Sequence, residues 1–161
     1  MVVDFAERLE KSESFAEIFD LVKKSAEATL EKRRDGLMLA LQYLPENLGA
    51  YYGLGSNFIV MNKALLEKFR ILYDEKATKS YVFSVLLHEY LHSLGYVDEA
   101  FTRELCYQIC KATLGEGHLS TKIAKHGIGA FINPSPRSLR GQSEDLEVID
   151  SFTIEHITYI G

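Results

Sequence analysis

Apolar residues recur at three- and four-residue steps through Phe15, Ile18, Phe19, Val22, Ala26 and Leu30, with lysines and glutamates filling the other side. That spacing predicts an amphipathic helix over 13–34, with Ser12 or Ser14 as N-cap and Gly36 as the stop. The basic run Lys32-Arg33-Arg34 then reads as a solvated helix end favoured by the helix dipole. Residues 37–44, LMLALQYL, form an apolar run closed by Pro45 and predict a buried strand. Residues 46–57 hold three glycines and predict a loop or bent hairpin, in which Tyr51 and Tyr52 read as half-buried structural residues. Phe58–Met61 predicts a second strand. Asn62 caps a helix whose Leu65, Leu66, Phe69 and Leu72 make one apolar stripe.

The pattern changes after the polar segment 74–80. From Tyr81 to Leu94, Val82, Phe83, Leu86, Leu87, Tyr90, Leu91 and Leu94 cover most of the circumference of a helix. A helix apolar nearly all round is buried. The stripe left over is Tyr81, Ser84, Val85, His88 and His92, which must face a cleft or a polar interior partner. Gly95 ends this helix with a turn. A second helix starts near Asp98, with Phe101, Leu105, Ile109, Ala112 and Leu114 at helical spacing up to Gly115. Ser120 or Thr121 caps a short helix that stops near Gly127. Residues 133–145 carry two of the three prolines and read as a linker, and β-branched and aromatic residues predict a strand over 152–160.

Helices and strands in this order predict an α+β fold: one domain over 1–132, a small sheet packed on helices, followed by a linker and C-terminal strand over 133–161. That strand is expected to pack on the same domain or on a second copy of the chain, making a homo-oligomer. The length of 161 residues suits one core. A net charge of -5 argues against a nucleic-acid surface. No apolar run reaches the ~20 residues of a membrane span. The N-terminus is charged throughout and lacks a signal-peptide core, which points to the cytoplasm.

The chemistry concentrates in His88-Glu89-Tyr90-Leu91-His92. Histidines four apart lie on one helical face and can offer ring nitrogens to one metal ion. Glu89, rotated by about 100°, is better placed to reach a metal-bound water as general base than to be a ligand in the same row. Zinc lowers the pKa of such a water to about 7. Asp98 has two readings, N-cap of the second helix or third ligand brought back by the turn at Gly95. Glu99, Glu104 and His118 are the other candidates for that position, while His126 reads as a surface residue. Cys106 and Cys110, four apart on the second helix, read as two small buried thiols.

With Gly95 and Asp98 added, H-E-x-x-H-x-x-G-x-x-D resembles the zincin metalloproteases. It is similar in particular to the metzincin branch with aspartate as third ligand, and to minimal zincin-like proteins of bacteria and archaea. The resemblance implies a minimal zincin-like fold around the HExxH helix and one Zn²⁺ per chain. It assigns His88, His92 and Asp98 as ligands and Glu89 as catalytic base, for hydrolysis of a peptide or protein substrate. It also implies a strand near Asn57–Met61 to which substrate backbone adds. The chain departs from metzincins in lacking a methionine after the motif, since Met1, Met38 and Met61 all precede it. In the gluzincin branch the third ligand is a glutamate from a following helix. Two rival readings are a catalytically inactive binding protein on a zincin scaffold and, least favoured by the acidic charge, a metal-dependent ribonuclease, which the Gly95-Tyr96 pair also resembles.

Overall fold

The computed structural model describes residues 4–132 and 147–149. Its centre is helix α4, Glu75–Ser93, which packs against α2 (Phe15–Leu30), α5 (Glu99–Leu114) and α6 (Leu119–His126). Tyr81, Phe83, Leu86, Leu87, Tyr90 and Leu91 of α4 are all fully buried. From Tyr81 onward no side of this helix is polar enough to face water, so its neighbours must enclose it. Tyr81 stacks on Phe69 at 4.8 Å, joining α4 to α3 (Lys63–Leu72). Tyr90 meets Phe19 of α2 edge-on at 5.4 Å.

The sheet lies against these helices. Strands β1 (Met38–Gln42), β2 (Ala50–Tyr52), β3 (Phe58–Asn62) and β4 (Glu147–Val148) are ordered β2-β3-β1-β4. β1 and β3 are parallel, and β2 and β4 run antiparallel to their neighbours. The α+β class and one domain hold for the described residues. Asn62 organises the crossing from β1 to β2. Fully buried, it donates to the carbonyls of Pro45 and Leu48 and accepts from the N–H groups of Leu44 and Ala64, the last being the cap of α3. One buried carboxamide thus satisfies three backbone groups of the β1–β2 loop and one at the start of α3.

Several elements differ from expectation for identifiable reasons. The segment 74–80 is the first turns of α4, with the Asp74 carboxylate accepting from Ala77 N–H at 2.8 Å. Asp74, Glu75 and Lys76 are polar because that end is exposed. An additional helix, α1 (Phe5–Lys11), is capped by Asp4. α2 stops at Leu30, because Glu31 takes a left-handed conformation with φ 57°. Lys32-Arg33-Arg34 is therefore not a helix end, and Arg34 is half-buried and bonded to three oxygens. The residue capping α6 is His118, whose Nδ1 accepts from Ser120 N–H at 3.1 Å. Ser120 instead donates to Ser80 O at 2.7 Å, pinning α6 to α4.

The strand expected near Asn57–Met61 to receive substrate is β3. It is hydrogen-bonded on both sides, so the strand with an open edge next to α4 is β2. β2 holds only three residues between glycines, too short for an alternating pattern to show. The linker over 133–145 and the strand over 152–160 lie outside the described residues. Residues 147–149 pair with the outer edge of β1, Ile149 N–H donating to Leu39 O at 2.9 Å. Among the described residues no helix is long and apolar enough to cross a membrane.

Candidate metal centre

His88 and His92 sit one turn apart on α4, with ring centroids 4.9 Å apart. Both are half-buried, while Glu89 between them is only 7 % exposed. Helix α4 ends at Gly95, whose φ of 108° suits a residue without a Cβ. Gly95 N–H bonds to His92 O and Tyr96 N–H to Leu91 O, the paired bonds of a Schellman turn. This turn brings the Tyr96 carbonyl back over the helix, 2.6 Å from His92 Nδ1. A carbonyl only accepts, so Nδ1 carries the proton and Nε2 is the nitrogen turned outward.

The chain then enters α5 through Asp98. Its carboxylate accepts from Phe101 N–H at 2.7 Å and is the N-cap of that helix. The carboxylate that meets the histidines belongs to the next residue. Glu99 Oε2 is 3.0 Å from His88 Nε2, and Glu99 Oε1 is 2.9 Å from His92 Nε2. His88, His92 and Glu99 each offer a ligand atom, all within 4.8 Å of one another. A tetrahedral zinc with bonds of about 2.0–2.1 Å needs its ligand atoms roughly 3.3 Å apart. The two Glu99–imidazole spacings need to open only slightly to take the ion, and two imidazoles with a carboxylate make a suitable donor set for zinc.

The electrostatics follow from burial and from this triangle. Burial works to depress the His88 pKa, but the Cys106 thiol and Glu99 carboxylate outweigh it, and the net shift is upward. Glu99 moves down: partial burial opposes this, and His88 and His92 outweigh it. Glu89 is pushed up to about 8, mainly by burial, then by the charge of Glu99, with the backbone N–H of Tyr52 pulling the other way.

Of the residues singled out from the sequence, His88, Glu89 and His92 come together as the helical spacing demands. Asp98 lies next to the cluster but is engaged at the cap. Glu104 is exposed further along α5 and accepts from Gln108 at 2.7 Å. His118 caps α6 beside Lys76, its pKa lowered by burial and by that lysine, and His126 is exposed. Both cysteines are free and buried. Cys106 reaches Ser84 O at 3.7 Å and the His88 ring, a contact that its position on a separate helix hides from the sequence. Comparison with protein-family models, curated proteins and solved structures finds no match for this chain.

Proposed function

We propose that this chain is a zinc-dependent peptidase of zincin type, with His88, His92 and Glu99 as ligands and Glu89 as general base. The observation that carries the reading is the convergence of His88, His92 and Glu99 within 4.8 Å beside a buried carboxyl on the very next residue. A bound zinc supplies Lewis acidity toward the scissile carbonyl and toward the attacking water. Glu89 takes the proton of that water and passes it to the leaving amine. Burial raises the Glu89 pKa, and an ion held by His88, His92 and Glu99 would favour its ionised form. The Tyr96 carbonyl holds the His92 imidazole from behind, and the Cys106 thiol lies beside that of His88. Glu99 replaces Asp98 as third ligand because Asp98 is occupied by the cap, a ligand choice like that of the gluzincin branch. The β2 edge alongside α4 suits an extended peptide as substrate.

The test uses full-length protein purified without added zinc and an unbiased peptide mixture. The expected result is about one zinc per chain and cleavage that a chelator abolishes. Glu89→Gln should keep the zinc and lose activity by at least about 100-fold, the usual contribution of a general base. Cleavage by Glu89→Gln at the parent rate would remove the mechanism, and purification without zinc-binding capacity would remove the site.

A further inference from the structure

Four helix ends meet around one hollow: the last turn of α1, the first turn of α2, the last turn of α3 and the first turns of α4. It encloses about 380 Å³, within the range of roughly 300–1,000 Å³ usual for small-ligand sites. None of its lining residues belongs to the His88, His92 and Glu99 cluster. The two α4 residues deepest in the chain here, Lys79 and Val82, lie on the side of that helix turned away from His88. The floor is apolar: Ile18 and Val82 are buried, and Phe15 is half-buried against the core.

The polar lining divides into groups that have partners and groups that do not. The Ser12 hydroxyl donates to Arg8 O at 2.9 Å and the Thr78 hydroxyl to Asp74 O at 3.0 Å. Ser14 Oγ accepts from Glu17 N–H at 3.1 Å. Lys79 Nζ donates to Glu10 O at 2.7 Å and lies 3.7 Å from the Glu75 carboxylate. These bonds tie each helix end to itself or to its neighbour, so the walls stand before any ligand arrives. The Arg70 guanidinium and the Glu13 carboxylate differ from all of these. Both residues line the hollow and are exposed, yet among the described residues neither charged group has a hydrogen bond or an ion pair. Glu13 engages only its backbone N–H, which donates to Glu17 Oε1 at 2.8 Å. Two opposite charges thus share one rim above an apolar floor without pairing.

We propose that this hollow binds a small zwitterion with an apolar side chain, either a free amino acid such as leucine or a dipeptide of such residues. Its carboxylate pairs with the Arg70 fork, its ammonium with Glu13, and its side chain covers Phe15, Ile18 and Val82. A fatty acid would answer Arg70 and leave Glu13 unmet; an apolar amine would do the reverse. Exposed ion pairs contribute little one at a time, so binding needs both charges and the floor together. The site does not depend on catalysis at Glu89. On the peptidase reading its ligand has the chemistry of a cleavage product.

The experiment is an NMR titration of the full metal-free chain, with a chelator present so that no dipeptide is consumed. Leucine or leucyl-leucine should shift the amides of Phe15, Ile18, Thr78 and Val82 saturably, with a Kd of about 0.1–1 mM for the better of the two. Which is better tells whether one residue or two spans from Arg70 to Glu13. N-acetylleucine lacks the ammonium, leucine amide lacks the carboxylate and glycine lacks the side chain; each should bind at least about fivefold more weakly. Glu13→Gln and Arg70→Gln should each weaken binding about fivefold or more at an unchanged denaturant midpoint, since both side chains are exposed. The absence of any saturable shift up to about 20 mM of either zwitterion would overturn the proposal. So would equal binding of N-acetylleucine, which would make the hollow a plain carboxylate site, or full affinity in both variants. Shifts confined to His88 and His92 would place the ligand at the cluster and overturn it as well. These outcomes stand whether or not Glu89→Gln abolishes cleavage.

Discussion

The two helices that supply the His88, His92 and Glu99 cluster are built in opposite ways. α4 is enclosed on nearly every side. His92 is fixed through Nδ1 by the Tyr96 carbonyl, and the Cys106 thiol lies beside the His88 ring. The first turn of α5 stands in solvent: the Glu99 side chain is 69 % exposed, and Val97 and Phe101 beside it are more than half exposed. Two donors are thus enclosed by packing, and the third stands in solvent and is held by the histidines themselves. If the cluster takes the proposed ion, the enclosed nitrogens would need to move little and the exposed carboxylate would adjust. Enclosed donors lose little entropy on binding, so the histidines should dominate affinity, and Glu99 should tune it.

Losing an enclosed donor should have the largest effect. Zinc sites built from protein side chains bind with roughly 10–16 kcal/mol in all, so one donor of three accounts for about 3–5 kcal/mol. His92→Ala should weaken zinc binding by more than about 100-fold, as read by competition with a chromophoric chelator. Stoichiometric zinc retained by that variant would show that the enclosed pair is not the site.

The buried base makes the next largest prediction. Glu89 has a pKa of about 8 in the metal-free fold against 4.5 for an ordinary glutamate. A carboxyl raised in the folded state gives stability that is complete below the unfolded value and is lost as pH rises through the folded value. The native protein therefore weakens between pH 4.5 and about 8 on account of this group. Glu89→Gln removes that dependence. It should stabilise the metal-free chain at pH 7 by about 3 kcal/mol, since pH 7 lies roughly 2.5 pH units above the unfolded value at about 1.36 kcal/mol each. Urea titrations at pH 5 and pH 7 check the sign: the gain should be small at the lower pH. A gain independent of pH would mean that Glu89 is ionised in the fold throughout.

The same contrast explains what could be read from the sequence. His88, Glu89 and His92 were legible because helical spacing alone brings two side chains four residues apart onto one face, and the apolar surroundings left only that stripe for chemistry. The third carboxylate was not, because Asp98 and Glu99 are neighbours, and which one turns inward depends on which one caps α5. Arg34 was the hardest to see. Its partners Ser56 and Ser93 lie 22 and 59 residues away, so the local run Lys32-Arg33-Arg34 carries no trace of these bonds. The strand β2 was hidden for a similar reason, its three residues being ordered by β3 and by α4 and not by their own pattern.

A smaller effect is expected at the joint between the enclosed and the exposed part. A Cβ at Gly95 would meet nothing within 4 Å, so space is no obstacle there. The obstacle is the backbone, at φ 108°, where an L side chain is strained by about 1–2 kcal/mol. Gly95→Ala should lower stability by that amount, as measured by denaturant midpoint. It should also weaken zinc binding, since the turn sets the Tyr96 carbonyl behind His92. A variant as stable as the parent would mean that the turn relaxes freely, and the division into an enclosed and an exposed part would blur.

The smallest pair of effects decides most sharply between the adjacent carboxylates. Glu99→Gln keeps a neutral oxygen donor but loses the charge, and should weaken zinc binding about tenfold with little change in stability, since the side chain is exposed. Asp98→Ala removes the cap bond to Phe101 N–H and should destabilise the fold by about 1 kcal/mol while leaving zinc affinity within about twofold. The two variants should thus separate into one that affects the metal and one that affects the helix. The reverse pattern, zinc lost with Asp98→Ala and retained with Glu99→Gln, would return the third position to Asp98. It would require the first turn of α5 to unwind when metal binds, because the Asp98 carboxylate cannot both hold the Phe101 N–H and turn to the ion.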